Sequence, residues 1–239
     1  MESHNEWQDF SEALGGLGYP DEKKFKQFQQ LYPIVIEANR SINLTRITDL
    51  TDFCSQHLLD SLTLSRFLPK PEFSLIDIGS GAGFPAIPLA IIYPQAQIVA
   101  VESIQKKAKF ITETAQYLNL ENLSVQAERS EVIAHQARYR EQFDFVTARA
   151  VSALNVLCEL CLPFVKLNGR FLAMKTLSAS EAEIPQAEAA IKELGGKLIE
   201  CADVSAPRLP NRCIIVIEKV TLTPSKYPRK PGTPEKNPL

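Results

Sequence analysis

Neither sign of charge dominates this chain. Its 26 Lys and Arg stand against 28 Asp and Glu, and a net charge of -2 gives no global pull toward polyanions, so any such binding must come from a local patch. Long apolar runs are also missing: the longest, from Phe84 to Tyr93, is about half of what a membrane span needs and contains two prolines. The stretch Met1 to Glu6 is polar and acidic, without the cationic and apolar segments of an export signal, so a cytoplasmic location with no membrane partner is expected. Five cysteines, at 54, 158, 161, 201 and 213, form no evenly spaced framework and read as free thiols. Cys158-x-x-Cys161 has neither the second pair nor the nearby histidines that zinc requires and lies in the apolar run Leu154 to Val165, so buried thiols and no metal are expected. No internal repeat is present.

What the chain does have is alternation. From Asp9 to about Phe67 the apolar residues Phe25, Phe28, Leu31 and Tyr32, then Phe53, His57, Leu58 and Leu62, recur at helical spacing, which predicts a helical cap over residues 1–70. Pro69-Lys70-Pro71 stops it, since neither proline continues a helix. Beyond it, short apolar runs at Phe73 to Ile78, Gln97 to Val101, Leu123 to Ala127, Phe143 to Thr147 and Gly169 to Lys175 alternate with helical patterns from Pro85, Gln105, Ala153 and Ser180. That rhythm implies a parallel sheet covered on both faces. Two last runs, Lys197 to Val204 and Arg212 to Val220, predict an antiparallel hairpin across Pro207 to Asn211. The expectation is an α/β fold, a mostly parallel seven-stranded sheet filling residues 71–220. Residues 221–239, with five prolines and four cations against Glu235, predict an extended tail that buries little.

The strand ending in Asp77 runs into Gly79-x-Gly81-x-Gly83. Glycine permits the positive φ of a tight turn, lets backbone approach a ligand and presents the free amides of the next helix, so the turn suits a nucleotide-type cofactor. The dinucleotide fingerprint would place its last glycine where Phe84 stands, and Phe84 is expected to block close pyrophosphate approach. Nineteen residues beyond Gly83, Glu102 ends the second strand, where a carboxylate accepts both ribose hydroxyls; the plain alternative is a solvated carboxylate at a helix entry. Ser103 and Ile104 then flank the adenine. Ser130-Glu131, after the third strand, either reads the adenine edge or supplies an N-cap serine. Asp77 either orients the turn and bonds a cofactor's end remote from the adenine or satisfies loop amides.

Asn43-Leu44-Thr45, His57-x-x-Asp60-Ser61, Asp77-x-Gly79-x-Gly81-x-Gly83-Phe84-Pro85-x-x-Pro88, Arg149-Ala150, Lys175 and the stretch Tyr227 to Pro234 together resemble the glucose-inhibited division protein B family. The resemblance spans about Asn43 to the C-terminus. It implies a Rossmann-like class I methyltransferase that uses S-adenosyl-L-methionine to methylate N7 of a guanine in 16S ribosomal RNA, with the RNA or the small ribosomal subunit as partner; a monomer is expected. It also implies that Gly79, Phe84, Ser130, Glu131 and Arg149 contact the cofactor and that Glu102, Ser103 and Ile104 line its ribose and adenine. Gly81 belongs to the same turn.

Transfer from a sulfonium to a ring nitrogen with a free lone pair needs alignment and no general base, in keeping with the lack of a nucleophile-and-base pair. A pyrimidine C5 methylase needs a nucleophilic cysteine and none is suitably placed; an adenine N6 methylase shows Asn/Asp-Pro-Pro-aromatic where this chain has Thr147-Ala148-Arg149-Ala150. No residue is assigned as catalytic. Arg149, at a strand's C-terminal end, is expected to position cofactor and substrate, with Lys175 a weaker candidate. His57, Asp60 and Ser61 share a helical face and either brace the cap against the turn or form a structural network. Arg229 and Lys230 beside Tyr227 are expected to meet RNA phosphate, with Lys106, Lys107 and Lys109 extending the patch. The competing readings are a class I methyltransferase acting on another RNA, a protein or a small molecule, a nicotinamide oxidoreductase, and a non-catalytic RNA-binding module.

Overall fold

The computed structural model describes residues 3–68, 71–149 and 152–239, the side chains of residues 3–5 excepted. Met1, Glu2, Pro69, Lys70, Ala150 and Val151 lie outside these, so Pro69-Lys70 of the proline stop and the second residue of Arg149-Ala150 are not described. Seven strands, β1 (Ser74–Ile78), β2 (Gln97–Val101), β3 (Leu123–Gln126), β4 (Phe143–Arg149), β5 (Val165–Lys175), β6 (Gly196–Asp203) and β7 (Cys213–Lys219), form one sheet in the order 3-2-1-4-5-7-6. β1 to β5 run parallel to one another, and β7 inserts antiparallel between β5 and β6. The chain thus reverses direction across the sheet between β1 and β4. In such sheets that crevice, beyond the carboxyl ends of the strands, is where ligands sit.

Apolar residues cover both faces. On one face α1 (Ser3–Gly16), α2 (Glu22–Ile42), the helical stretch 50–67, α5 (Ala86–Ile92) and α6 (Gln105–Tyr117) share a continuous core with Leu75, Ile98 and Leu172 of the strands, so the helical cap is packed into the sheet's own core. On the other face lie α7 (Ser130–Ile133), α8 (Leu154–Cys161) and α9 (Leu177–Glu193). Cys158 and Cys161 of α8 are fully buried there, and burial pushes both thiols up. The stretch 50–67 is not one regular helix: α3 (Leu50–Asp52) passes into a π-helical turn over Phe53–Leu59, then α4 (Asp60–Leu62) and a 3-10 turn over Thr63–Phe67.

The C-terminal residues depart from expectation. They are docked against the second face, ending in α10 (Thr233–Lys236), and Thr223, Tyr227 and Pro234 are buried. Arg140 Nη1 and Nη2 donate to the carbonyls of Tyr227 and Thr223 at 2.9 and 2.8 Å, and Lys219 Nζ, fully buried, donates to the Thr223 hydroxyl. Arg229 clasps Glu159 through Nε and Nη2, and Glu159 Oε1 also takes the Arg229 amide at 2.7 Å. The tail was expected to stay extended because its own prolines and cations cannot form a core. It is ordered instead by acceptors and donors that α8 and the rest of the second face supply.

Candidate functional site

The glycine turn joins β1 to α5 at the carboxyl edge of the sheet. Gly79, Gly81 and Gly83 have φ of 73, 59 and 88°, a region that carries a steric cost for any residue with a Cβ. Gly79 and Ser80 amides donate to the Val101 carbonyl of β2 at 2.9 and 3.0 Å, and those of Gly83 and Phe84 donate back to Ser80. The turn's own amides are thus largely spent within the protein. What remains for a ligand is space. A Cβ on Gly81 would meet only the Gly79 carbonyl, at 3.9 Å.

Glu102 lies against that space. Its Oε2 accepts from the Gly81 amide at 2.9 Å and its Oε1 from the Ile104 amide at 2.7 Å, so β2 and the turn hold one carboxylate between them in a fixed orientation. It is 6% exposed, which sets aside the solvated helix-entry carboxylate. Ser103 is exposed, and Ile104 presents an apolar side chain with 51% exposure beside it. At the end of β3, Arg129 occupies the N-cap of α7 without a side-chain bond, and Ser130 is the first helical residue, its hydroxyl donating to Glu131 Oε2 at 3.3 Å. The N-cap role considered for Ser130 therefore does not hold. Glu131 Oε1 accepts from the Gly232 amide at 3.0 Å, which ties the C-terminal segment to this corner of the cleft.

Asp77 is wholly buried beneath the turn. β1 and β4 pair Asp77 with Thr147, whose hydroxyl donates to Asp77 Oδ1 at 2.9 Å; Oδ2 has no partner among the described residues. Burial raises its pKa to about 6, against the lowering effect of Ser80, Thr147 and the Arg149 charge.

The Phe84 side chain, expected to contact the cofactor, packs into the core behind the turn. It is 2% exposed, stacked on His57 with ring centroids 4.4 Å apart, and the Arg149 guanidinium lies 5.5 Å from its centroid. Arg149 ends β4, paired with Met174 of β5, and reaches into the cap. Its Nη1 donates to the Gln56 carbonyl at 3.0 Å and to Asp60 at 3.2 Å, while Nη2 faces His57 Nδ1 at 3.2 Å. Arginine can only donate, so Nδ1 is the acceptor and the imidazole proton sits on Nε2, toward the Thr45 hydroxyl at 2.8 Å. Burial and the Arg149 charge push His57 down to about 3, which keeps it neutral. Ser61 donates to the His57 carbonyl at 2.6 Å. The structure thus brings His57, Asp60 and Ser61 together as a brace between cap and turn. Sequence spacing missed the π-helical turn that carries Gln56 and His57, and it missed Arg212, whose Nε lies 3.4 Å from Asp60 Oδ1.

Beside Arg149 a cavity of about 360 Å³ extends along the edge of β4 and β5 toward α9. That size is within the range of small-ligand pockets. Lys175 lines it, with Nζ 2.7 Å from Glu183 Oε2 and 2.5 Å from the Ser152 carbonyl. Arg229, expected to meet RNA, is occupied by Glu159, and Lys109 pairs with Glu113.

Residues 24–209 match the family model described as GidB, rRNA small subunit methyltransferase G. The chain is 42% identical over 234 residues to the ribosomal RNA small subunit methyltransferase G of Leuconostoc citreum, covering 96% of this chain and 98% of that protein. It is 46% identical over 236 residues to the protein of the same name from Lacticaseibacillus paracasei, covering 96% and 97%. Among solved structures, a precorrin-6y C5,15-methyltransferase from Geobacter metallireducens shares the fold at 14% identity, with a TM-score of 0.50 over 76% of this chain and 92% of that one.

Proposed function

The chain belongs to the GidB family, rRNA small subunit methyltransferase G, and is a methyltransferase; from that premise we propose that it transfers a methyl group from S-adenosylmethionine to N7 of a guanine in the 16S RNA of the small ribosomal subunit. The observation that carries the reading is the Glu102 carboxylate, locked by the Gly81 and Ile104 amides beside an unobstructed turn, one strand away from the Arg149 cavity.

The residues fit the cofactor piece by piece. Glu102 retains acceptor capacity on both oxygens for a ribose diol, Ile104 offers an apolar face to adenine, and the bare backbone of Gly81 leaves room for the sugar and methionine. Asp77, buried below the turn with an unspent oxygen, acts through its charge and favours a cation docked above it. When bound, S-adenosylmethionine supplies an electrophilic methyl on a sulfonium. Guanine N7 carries a lone pair and no proton, so the protein's task is to hold the base in line at near-attack distance. Arg149 suits this. Three of its five N–H groups are fixed by Gln56, Asp60 and His57, and the other two are available to the guanine O6. His57, neutral through the working range, positions Arg149 and moves no proton.

The test is transfer of label from S-adenosylmethionine to small subunits lacking the modification, and to naked 16S RNA, followed by mapping through the strand scission that N7-methylguanine permits. One labelled guanine is expected. Absence of binding heat for S-adenosylmethionine up to millimolar concentration overturns the reading.

A further inference from the structure

We propose that Glu183 reads the base: its free carboxylate oxygen accepts the N1 proton and the 2-amino group of the guanine, making the cavity between the β4–β5 edge and α9 selective for that base. The inference rests on the function proposed above and names how the same site chooses its substrate.

Glu183 lies on α9 and lines the cavity together with Thr176 and Ala179, while Arg149 and His57 line it from the side of the glycine turn. Its two oxygens differ in employment. Oε2 accepts from the Leu154 amide at 2.7 Å and pairs with Lys175 Nζ at 2.7 Å; Oε1 makes no hydrogen bond among the described residues, and the side chain is 22% exposed. One oxygen therefore anchors the group and aims the other. An ionised carboxylate can only accept, so it selects a ligand edge made of donors.

Guanine has such an edge, and its position is fixed by the reaction. N7 and O6, both acceptors, share one edge of the base; N1–H and the 2-amino group lie across the ring. With N7 turned to the cofactor side and O6 to Arg149, the donor edge faces away from the glycine turn, toward α9 and Glu183. Adenine presents an acceptor at N1 and has no amino group at C2, so it would leave the carboxylate unpaired, a penalty that polar sites use to reject near-isosteres. Reading the Watson–Crick edge also requires the base to be out of its helix, as enzymes that modify bases generally arrange.

The experiment uses small subunits whose mapped target carries either guanine or inosine, which keeps N1–H, O6 and N7 and lacks only the 2-amino group. The wild-type protein is expected to favour guanine by about 10- to 100-fold in kcat/KM, the range of one hydrogen bond to a charged acceptor. Glu183→Gln keeps an acceptor for the Leu154 amide, and its guanine-to-inosine ratio is expected to fall to about threefold or less. The ratio does not depend on how much enzyme is folded, so partial unfolding of the variant cannot mimic the effect. Melting temperature and S-adenosylmethionine affinity of the variant report on fold and cofactor separately. A Glu183→Gln variant that keeps the wild-type ratio overturns the inference, as does a wild-type enzyme indifferent to inosine; both leave N7 methylation standing. A wild-type enzyme that labels no guanine overturns the proposed function and this inference with it.

Discussion

Asp77 is a residue whose stability and function are opposed. Its pKa of about 6 lies above the ordinary 3.8, so between about pH 4 and 6 the folded chain binds more protons than the unfolded one. Stability therefore falls as pH rises through that window and is level above it, the ionised form costing about 3 kcal/mol at neutral pH. Asp77→Asn keeps an acceptor for Thr147 and removes the charge. It is expected to raise the melting temperature of the ligand-free protein by a few degrees, about 2–4 °C for each kcal/mol recovered, while weakening S-adenosylmethionine at least about tenfold. Calorimetric titration of the wild type across pH 5–8 should show affinity falling below about pH 6, and the same series on Asp77→Asn should be flat; parallel profiles would remove Asp77 from cofactor binding. At this scale Glu102 was legible because strand, glycine turn and acid come at a fixed spacing. The surroundings of Arg149 were not, since its partners Gln56, His57 and Asp60 stand about ninety residues earlier, on or just after a π-helical turn that spacing does not show.

Two elements were read with opposite success, and each yields a contrast between variants. Local hydrophobic alternation located every strand of the sheet, although β5 begins at Val165, four residues before the expected Gly169. Within the glycine turn the three glycines are not equivalent. A Cβ on Gly83 would run into the Ile87 side chain of α5, whereas one on Gly81 enters open space beside Glu102. Gly83→Ala should therefore cost stability, about 2 kcal/mol or more, and Gly81→Ala only the roughly 1 kcal/mol of its backbone conformation. Cofactor affinity should order the other way, with Gly81→Ala losing more; paired thermal melts and titrations decide this. The C-terminal segment was misread because composition describes what a segment can bury by itself, and Arg229 depends on Glu159, seventy residues away and 1% exposed. Arg229→Ala leaves that carboxylate buried with only a backbone amide, at a cost of about 3 kcal/mol. We expect the melting temperature to drop by roughly 6–12 °C with little change in the salt dependence of RNA binding, which would be the altered quantity if Arg229 contacted phosphate.

At the scale of the whole molecule, the proposed substrate is a polyanion while the chain carries a net charge of -2, and the distribution of its cations bears on the conflict. Many of the basic residues are engaged: Arg149 and Arg212 by Asp60, Lys175 by Glu183, Lys219 by Glu141, Arg229 by Glu159, Lys166 by Asp144. Arg46, Lys106, Arg129 and Lys230 are exposed and make no ion pair among the described residues. Arg46 lies between Thr45, which meets His57, and Ile47, which lines the cavity; Lys106 is the second residue of α6, just beyond Glu102; Arg129 precedes Ser130; and Lys230 is two residues from Gly232, which Glu131 holds. All four flank the cleft at the carboxyl edge of the sheet, where they offer cations to a phosphate backbone although the molecule as a whole is not cationic. Each phosphate contact releases about 0.9 counterion on duplex and about 0.7 on single strands, so replacing all four by Gln should lower the slope of log K against log salt by roughly 3 units and weaken RNA binding without regard to its sequence. Affinity for S-adenosylmethionine and the guanine-to-inosine ratio should stay at wild-type values, because none of the four touches the cofactor turn or Glu183. Filter binding at 50–300 mM salt measures the slope, and an unchanged slope would mean that the RNA approaches another face.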